Sequence, residues 1–297
     1  MNTDQINIPK NKLGHTNEML SIIGIGGYHM GVTESEKTAI DIMHKAIDAG
    51  VNFFDNAWEY NKGKSEEIMG KALQGSYRKK AFLMTKVCGR NYQDARLHIE
   101  DSLRRLNTET IDLLQFHAVE AHNDPSRIMD TENGAIKAVL EARQQGKIRY
   151  IGFSGHAYPE KHLEMINQDF QWDAVQMPLN VMDAHYRSFE HQVLPVCNQK
   201  NIGVLGMKSL GGADARILKN TSIDATSLRK YALSLPITTL ICGVKTHQEL
   251  DHILEVTNNF EPLSETEKNN LLESSKPYSK EGKSELYKTT DYSCAWD

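Results

Sequence analysis

FFDNAWEY (53–60), FLMTKV (82–87) and DLLQFHAV (112–119) decide how this chain reads. Each short apolar run closes on a residue with chemistry to offer: Asp55, Lys86 and His117. The steps between them are 31 residues, about the length of one strand–helix unit. Equal steps of that length bring the ends of consecutive parallel strands to one face of a barrel, where (β/α)8 enzymes place their chemistry. Tyr60 stands five residues beyond Asp55. An acid, a phenol, an amine and an imidazole then share one cleft.

The alternation extends in both directions. KLGHTNEML (12–20) reads as a hairpin of two short strands around a His-Thr-Asn turn, and SIIGIGGYHMG (21–31) opens with a strand. A helix over 34–49 is predicted from the stripe Ala39, Ile40, Met43, Ala46 and Ile47, a capping box of Thr33 and Glu36, and Gly50 as its stop. Strands at 51–55, 81–86, 111–116 and 148–153 alternate with helices at 65–74, 93–106 and 132–145. Strands at 173–177, 202–206 and 237–242 follow, with helices near 225–234 and at 247–257. Counting IIGIG first gives eight strands. The expected fold is α/β: a (β/α)8 TIM barrel with an N-terminal β-hairpin at 12–20. No Pro/Gly/Ser-rich linker interrupts the run, so 1–297 reads as one domain with a polar tail over 261–297.

A chain of 297 residues suits one barrel of this class. A net charge of −5 and a pI near 6.2 argue against nucleic acid as a partner. Cys88, Cys197, Cys242 and Cys294 fall singly, which argues against disulfides and a structural zinc site and suits a reducing cytoplasm. MNTDQINIPKNK lacks the apolar stretch of a secretion signal, and no apolar run approaches the ~20 residues of a membrane span. GIGGYHMG (24–31) is not a dinucleotide fingerprint, because His29 stands where G-x-G-x-x-G needs its last glycine. No H-E-x-x-H or paired-carboxylate motif suggests a metal. The expectation is a cytoplasmic protein without nucleic-acid or membrane partners, monomeric or weakly oligomeric.

The four lead residues interlock chemically. A tyrosine hydroxyl titrates near ~10, and a neighbouring ammonium such as Lys86 favours its phenolate. Asp55 can hold Lys86 charged and in place, and His117 can hydrogen-bond the same substrate oxygen. That set donates a proton to a carbonyl oxygen while something else attacks the carbon. No side chain supplies a hydride, so a nicotinamide must.

FFDNAWEYNKGKSEEIMGKAL (53–73) resembles the aldo-keto reductases, whose pattern is FFDTA, a tyrosine five residues after the Asp, then G-x-SEE-x-x-G-x-AL. The likeness runs from the LGHTNEMLSIIGIGG hairpin and strand to GVKTHQELDHILEV (243–256). It implies a nicotinamide-dependent oxidoreductase, with Asp55, Tyr60, Lys86 and His117 as the catalytic four and a hairpin plugging the opposite end. It also implies cofactor contacts. Ser154 and Gln176 match the family's carboxamide-binding residues, but Gly155 replaces the expected Asn. Met207, Lys208, Ser209, Leu210, Gly211 and Gly212 match the phosphate-wrapping loop, and Gly243, Lys245 and Glu249 the adenosine end. Where the family commonly carries Arg or Gln and then Asn, this chain has Glu249 and Ile253. The resemblance therefore implies NADP(H) only narrowly, with NAD(H) the alternative.

Tyr28, His29, Trp58 and Tyr92 occupy expected loops above the barrel as candidates for a substrate pocket, with plain packing the alternative. Trp296 is a candidate cover over the mouth, against a frayed terminus. The reaction expected is reduction of an aldehyde or ketone, with a sugar-like compound favoured by the aromatic and polar loops. Two rivals stand beside it. One is a cofactor-binding regulatory subunit like the β subunits of voltage-gated potassium channels. The other is a Schiff-base lyase using Lys86.

Overall fold

The computed structural model describes residues 6–290. Strands β1 (Lys10–Lys12) and β2 (Met19–Ser21) form an antiparallel hairpin. The barrel then follows as β3 (Ile23–Gly26), β4 (Phe53–Asp55), β5 (Phe82–Val87), β6 (Ile111–Phe116), β7 (Ile148–Ser154), β8 (Ala174–Pro178), β9 (Gly203–Met207) and β10 (Thr239–Gly243). All eight pair in parallel, and β10 closes the ring on β3. Each strand expected from the sequence is present, its ends displaced by no more than two residues.

Two apolar layers hold the barrel. Inside, Phe53, Phe82, Met84, Leu113 and Leu205 fill the lumen together with Leu13 and Leu20 from the hairpin. Gly203 shows how tightly the hairpin seats: a Cβ there would meet Leu13 Cδ1 at 2.3 Å. Asn11 donates to Ile237 O and Thr238 Oγ1 to Lys12 O, so hydrogen bonds lock the plug to the strand N-termini. Outside, the helices bury their stripes against the strands, as Ala39, Ile42, Met43, Ala46 and Ile47 do in helix Glu36–Asp48. The chemistry can therefore open only at the other end.

Several local expectations are corrected. The first long helix is capped by Ser35, whose Oγ accepts from Thr38 N; Thr33 instead donates to Met30 O and Ser35 O. Helices Asp124–Met129, Pro159–Ile166 and Leu194–Gln199 lie between strands where none was expected, all short and each with a proline in its first two positions. The tail contains helix Glu265–Ser275, begun by a capping box of Ser264 and Glu267, although only a few apolar side chains mark it. Among the described residues no helix is long and apolar enough to cross a membrane.

Candidate active site

Register explains why the 31-residue spacing matters. Gly26 pairs with Asp55, and Lys86 with Gln115, one residue before β6 ends at Phe116. The side chains of Asp55, Lys86 and His117 thus meet at the C-terminal rim, and all three are buried. Lys86 Nζ is ion-paired with Asp55 Oδ1 and donates to Asn56 O at 2.8 Å and to Tyr60 Oη at 3.4 Å. The Tyr60 ring stands edge-on to His117 and Tyr28, each 5.5 Å away.

Backbone features hold this corner. Trp58 N donates to Lys86 O, tying the loop after β4 to β5. Beyond Tyr60 the chain turns through Asn61, Lys62 and Gly63, all at positive φ. Such strain needs support, and Asn61 provides it by donating to Tyr28 O and Ser65 Oγ. Gly31 must be glycine, since a Cβ would meet the Asn61 amide at 2.3 Å. His117 is fixed from two sides. Its Nδ1 lies 2.9 Å from Glu59 Oε1, and Arg90, buried against Asp124, donates to His117 O and Ala118 O. Glu59 went unnoticed in the sequence, although it immediately precedes Tyr60. Cys88 Sγ also lies near, so Glu59, Cys88 and His117 present three ligand-type atoms within 4.8 Å of one another. The Glu59 carboxylate sits against Nδ1 and fixes the orientation of the ring.

A cavity of about 570 Å³ opens above this corner and runs towards the loop after β10. Gln176, Met207, Lys208, Ser209, Leu210, Gly243, Lys245 and Glu249 line it, as do Tyr28 and His29. Gly243 leaves room for the His29 ring, since a Cβ would meet Cε1 at 2.3 Å. Burial lowers the pKa of His29, helped by the charge of Lys245. Gly211 turns the loop at φ +93, beside Gly212 on the wall.

Other expected residues fall elsewhere. Ser154 is buried beneath the rim, bonded to Ala118 N and Phe116 O. Trp58 is turned away from the cavity: its ring stacks on His98 at 3.7 Å, and Nε1 donates to Asp101. Tyr92 opens helix Tyr92–Arg105 and donates to Glu141. Trp296 lies outside the described residues. The Asn expected after Ser154 has no room, because a Cβ on Gly155 would meet the His162 ring at 2.6 Å.

The cavity also contains groups that no motif marks as functional. His156 lines the wall, its ring 6.2 Å from that of His117, and its Nδ1 lies 3.3 Å from Glu120 Oε1. Burial raises Glu120 to about 7 and pushes His156 well below its usual value, so both favour their neutral forms. Tyr287 enters from the tail, its hydroxyl donating to Glu285 and accepting from Asn180. At the adenosine end Glu249 closes a capping box with Thr246 and accepts from the backbone N–H of Lys245 at 2.6 Å.

The residues fit a nicotinamide. Gln176 Oε1 is buried with no hydrogen-bond partner among the described residues, and it belongs to a cavity-lining side chain. A carboxamide would satisfy it. The elongated cavity and the glycine-rich loop after β9 provide the rest of the strip.

Comparison with known proteins agrees with this geometry. The family model described as "Aldo/keto reductase family" matches residues 22–229. The chain is 30% identical over 243 residues to an uncharacterized oxidoreductase, YrpG, of Bacillus subtilis, covering 73% of this chain and 72% of the relative. It is 27% identical over 268 residues to aldo-keto reductase AFTS1 of Alternaria alternata, covering 74% and 71%. The fold superposes on aldo-keto reductase AKR11C1 of Bacillus halodurans with a TM-score of 0.75 at 21% identity, covering 93% of this chain and all of that one. It also superposes on glycerol dehydrogenase AKR11B4 of Gluconobacter oxydans, with a TM-score of 0.70 at 23% identity over 93% and 96% of the two chains. With a family match across most of its length and an oxidoreductase relative at that identity, this chain belongs to the aldo/keto reductases, oxidoreductases that use nicotinamide cofactors.

Proposed function

We propose that the protein reduces an aldehyde or ketone with NAD(P)H and that Tyr60 protonates the carbonyl oxygen. The observation that carries this is one ammonium, Lys86, touching Asp55, the Asn56 carbonyl and the Tyr60 hydroxyl together. Asp55 and the carbonyl keep Lys86 charged in a buried place, and that charge favours developing phenolate as the proton leaves. With Glu59 against Nδ1, the His117 ring is held so that Nε2 can hydrogen-bond the same oxygen. A nicotinamide, when bound, supplies the hydride to the carbonyl carbon. Gln176 would hold its carboxamide, and the backbone N–H groups of the loop 208–212 its phosphates. Alcohol oxidation uses the same groups in reverse.

At the adenosine end Glu249 supports NAD(H) over the NADP(H) that the resemblance implied. Its carboxylate already takes the helix-terminal N–H groups that would otherwise meet a phosphate, and it would repel one. A ribose diol can donate to it. The polar side chains on the cavity wall, among them His29, His156 and Gln176, suit a small hydroxylated carbonyl compound, in keeping with the glycerol dehydrogenase among the structural neighbours. The test is a panel of aldehydes, ketones and their alcohols, followed by cofactor absorbance at 340 nm. Tight cofactor binding without turnover on any compound would leave the regulatory-subunit reading in place. Borohydride trapping of a carbonyl compound on Lys86 would instead establish the lyase.

A further inference from the structure

The cations along the cavity are not alike. Towards the last strand, Arg229 is engaged by His252 at 2.7 Å, while Lys219 and Lys245 are exposed. Lys208 is half-buried. No carboxylate or hydrogen-bond acceptor is paired with its ammonium among the described residues; Nζ instead lies 5.0 Å from the centre of the Tyr287 ring. The Tyr287 ring stands 6.5 Å from that of His156, and His156 6.2 Å from His117, which sets Lys208 on the wall beside the Tyr60 corner. Burial and the like charge of Lys86 lower its pKa to about 8, although the residue as a whole is only half-buried. Its backbone is left-handed, at φ +62, a conformation that non-glycine residues seldom adopt and that clusters at functional sites. A cation desolvated beside a second cation calls for an anion.

We propose that Lys208 is the anion-binding residue of the substrate subsite, and that the carbonyl compounds taken by this protein carry a carboxylate. The proposal rests on the reductase reading above and narrows it. The carboxylate would meet Nζ from the open side of the cavity, near His156, while the carbonyl faces Tyr60 and His117.

The matched pair 4-carboxybenzaldehyde and 4-carbamoylbenzaldehyde differs in charge and hardly in shape. With cofactor saturating, kcat/KM should favour the acid by about tenfold or more, the worth of a charge-assisted hydrogen bond. Lys208→Met should erase most of that preference, and Lys208→Arg should retain part of it. A preference unchanged in Lys208→Met overturns the assignment. So does a cofactor Kd raised tenfold with the acid-to-amide ratio intact, which would give the ammonium to a cofactor phosphate. Benzoate binding to the cofactor-loaded protein, by calorimetry, separates the two layers. Binding that depends on Lys208 in a protein that reduces neither aldehyde keeps the subsite and discards the reaction. Binding indifferent to Lys208 discards the subsite.

Discussion

Among the described residues stand two buried lysine–aspartate pairs, and they do different work. Lys86 and Asp55 come from adjacent strands, and their ammonium also reaches a phenol that lines the cavity. Lys288 and Asp183 come from the tail and the loop after β8, 2.6 Å apart with both side chains at 0% exposure. Glu285 adds a second carboxylate at 3.1 Å, and Tyr186 O accepts from the same ammonium. Burial raises both Asp183 and Glu285, while Lys288 opposes that shift. Pairing and burial are common to the two sites; contact with a third, reactive group facing open space belongs to one. The first pair holds a reagent, and the second fastens the segment that brings Tyr287 to the cavity wall.

The largest effect should come from dismantling the reagent. Tyr60→Phe is expected to lower kcat by ~10²–10⁴ while cofactor Kd stays nearly constant. Lys86→Met should match it, and the double variant should be scarcely worse than either, as for residues acting as one unit. Losses that multiply would show Lys86 and Tyr60 working separately, and the contrast between the two pairs would fail on its first side.

The second pair should register in stability. Lys288→Met leaves two carboxylates buried without their cation, a loss of about 3–5 kcal/mol in urea unfolding. Lys288→Met combined with Asp183→Asn and Glu285→Gln should recover much of it. A loss below about 1 kcal/mol in the single variant would mean the tail is held by other contacts.

A third expectation uses acid. His162 is wholly buried, and burial lowers its pKa to about 4; His98 is lowered to about 4 in the same way. Both stay neutral in the fold while the unfolded chain takes up protons below about 6.5. Stability is therefore complete above pH 6.5 and falls as pH drops towards 4, by about 3 kcal/mol for His162. Urea midpoints across that range should show the decline, and His162→Asn should flatten it. An equally steep decline in the variant would assign the acid sensitivity to the carboxylates instead.

The smallest effect concerns cofactor choice. Glu249→Arg removes a like charge from the adenosine end and adds a bidentate partner, so the NADPH-to-NADH affinity ratio should rise ten- to a hundredfold. Calorimetry of both cofactors at one ionic strength measures it. An unchanged ratio would mean that the capping carboxylate never meets the ribose.

The sequence made the eight strands legible because each is a short apolar run, and the corner of Asp55, Lys86 and His117 because strand ends recur at a fixed step. Glu59, His156, Glu120 and Tyr287 were harder to see, since their meaning comes from contacts between loops whose separation in sequence has no period. Trp58 misled for the same reason: its position in the motif is shared with Tyr60, but its ring follows His98 out of the cavity. The short helices Pro159–Ile166 and Leu194–Gln199 carry too few turns for a clear stripe.

Closure of the ring has a consequence for synthesis. Ile23 pairs with Leu240, and Gly26 with Gly243, so the first barrel strand receives its second neighbour only when more than two hundred further residues have emerged. Until then β3 has an open edge, and the lumen residues Phe53 and Phe82 are walled on one side only. A growing chain therefore carries an unfinished sheet for most of its translation, a state prone to wrong pairing. The hairpin cannot relieve it early, because Asn11 waits for Ile237 and Lys12 for Thr238. The first-made barrel strand waits on the last-made one for its second neighbour.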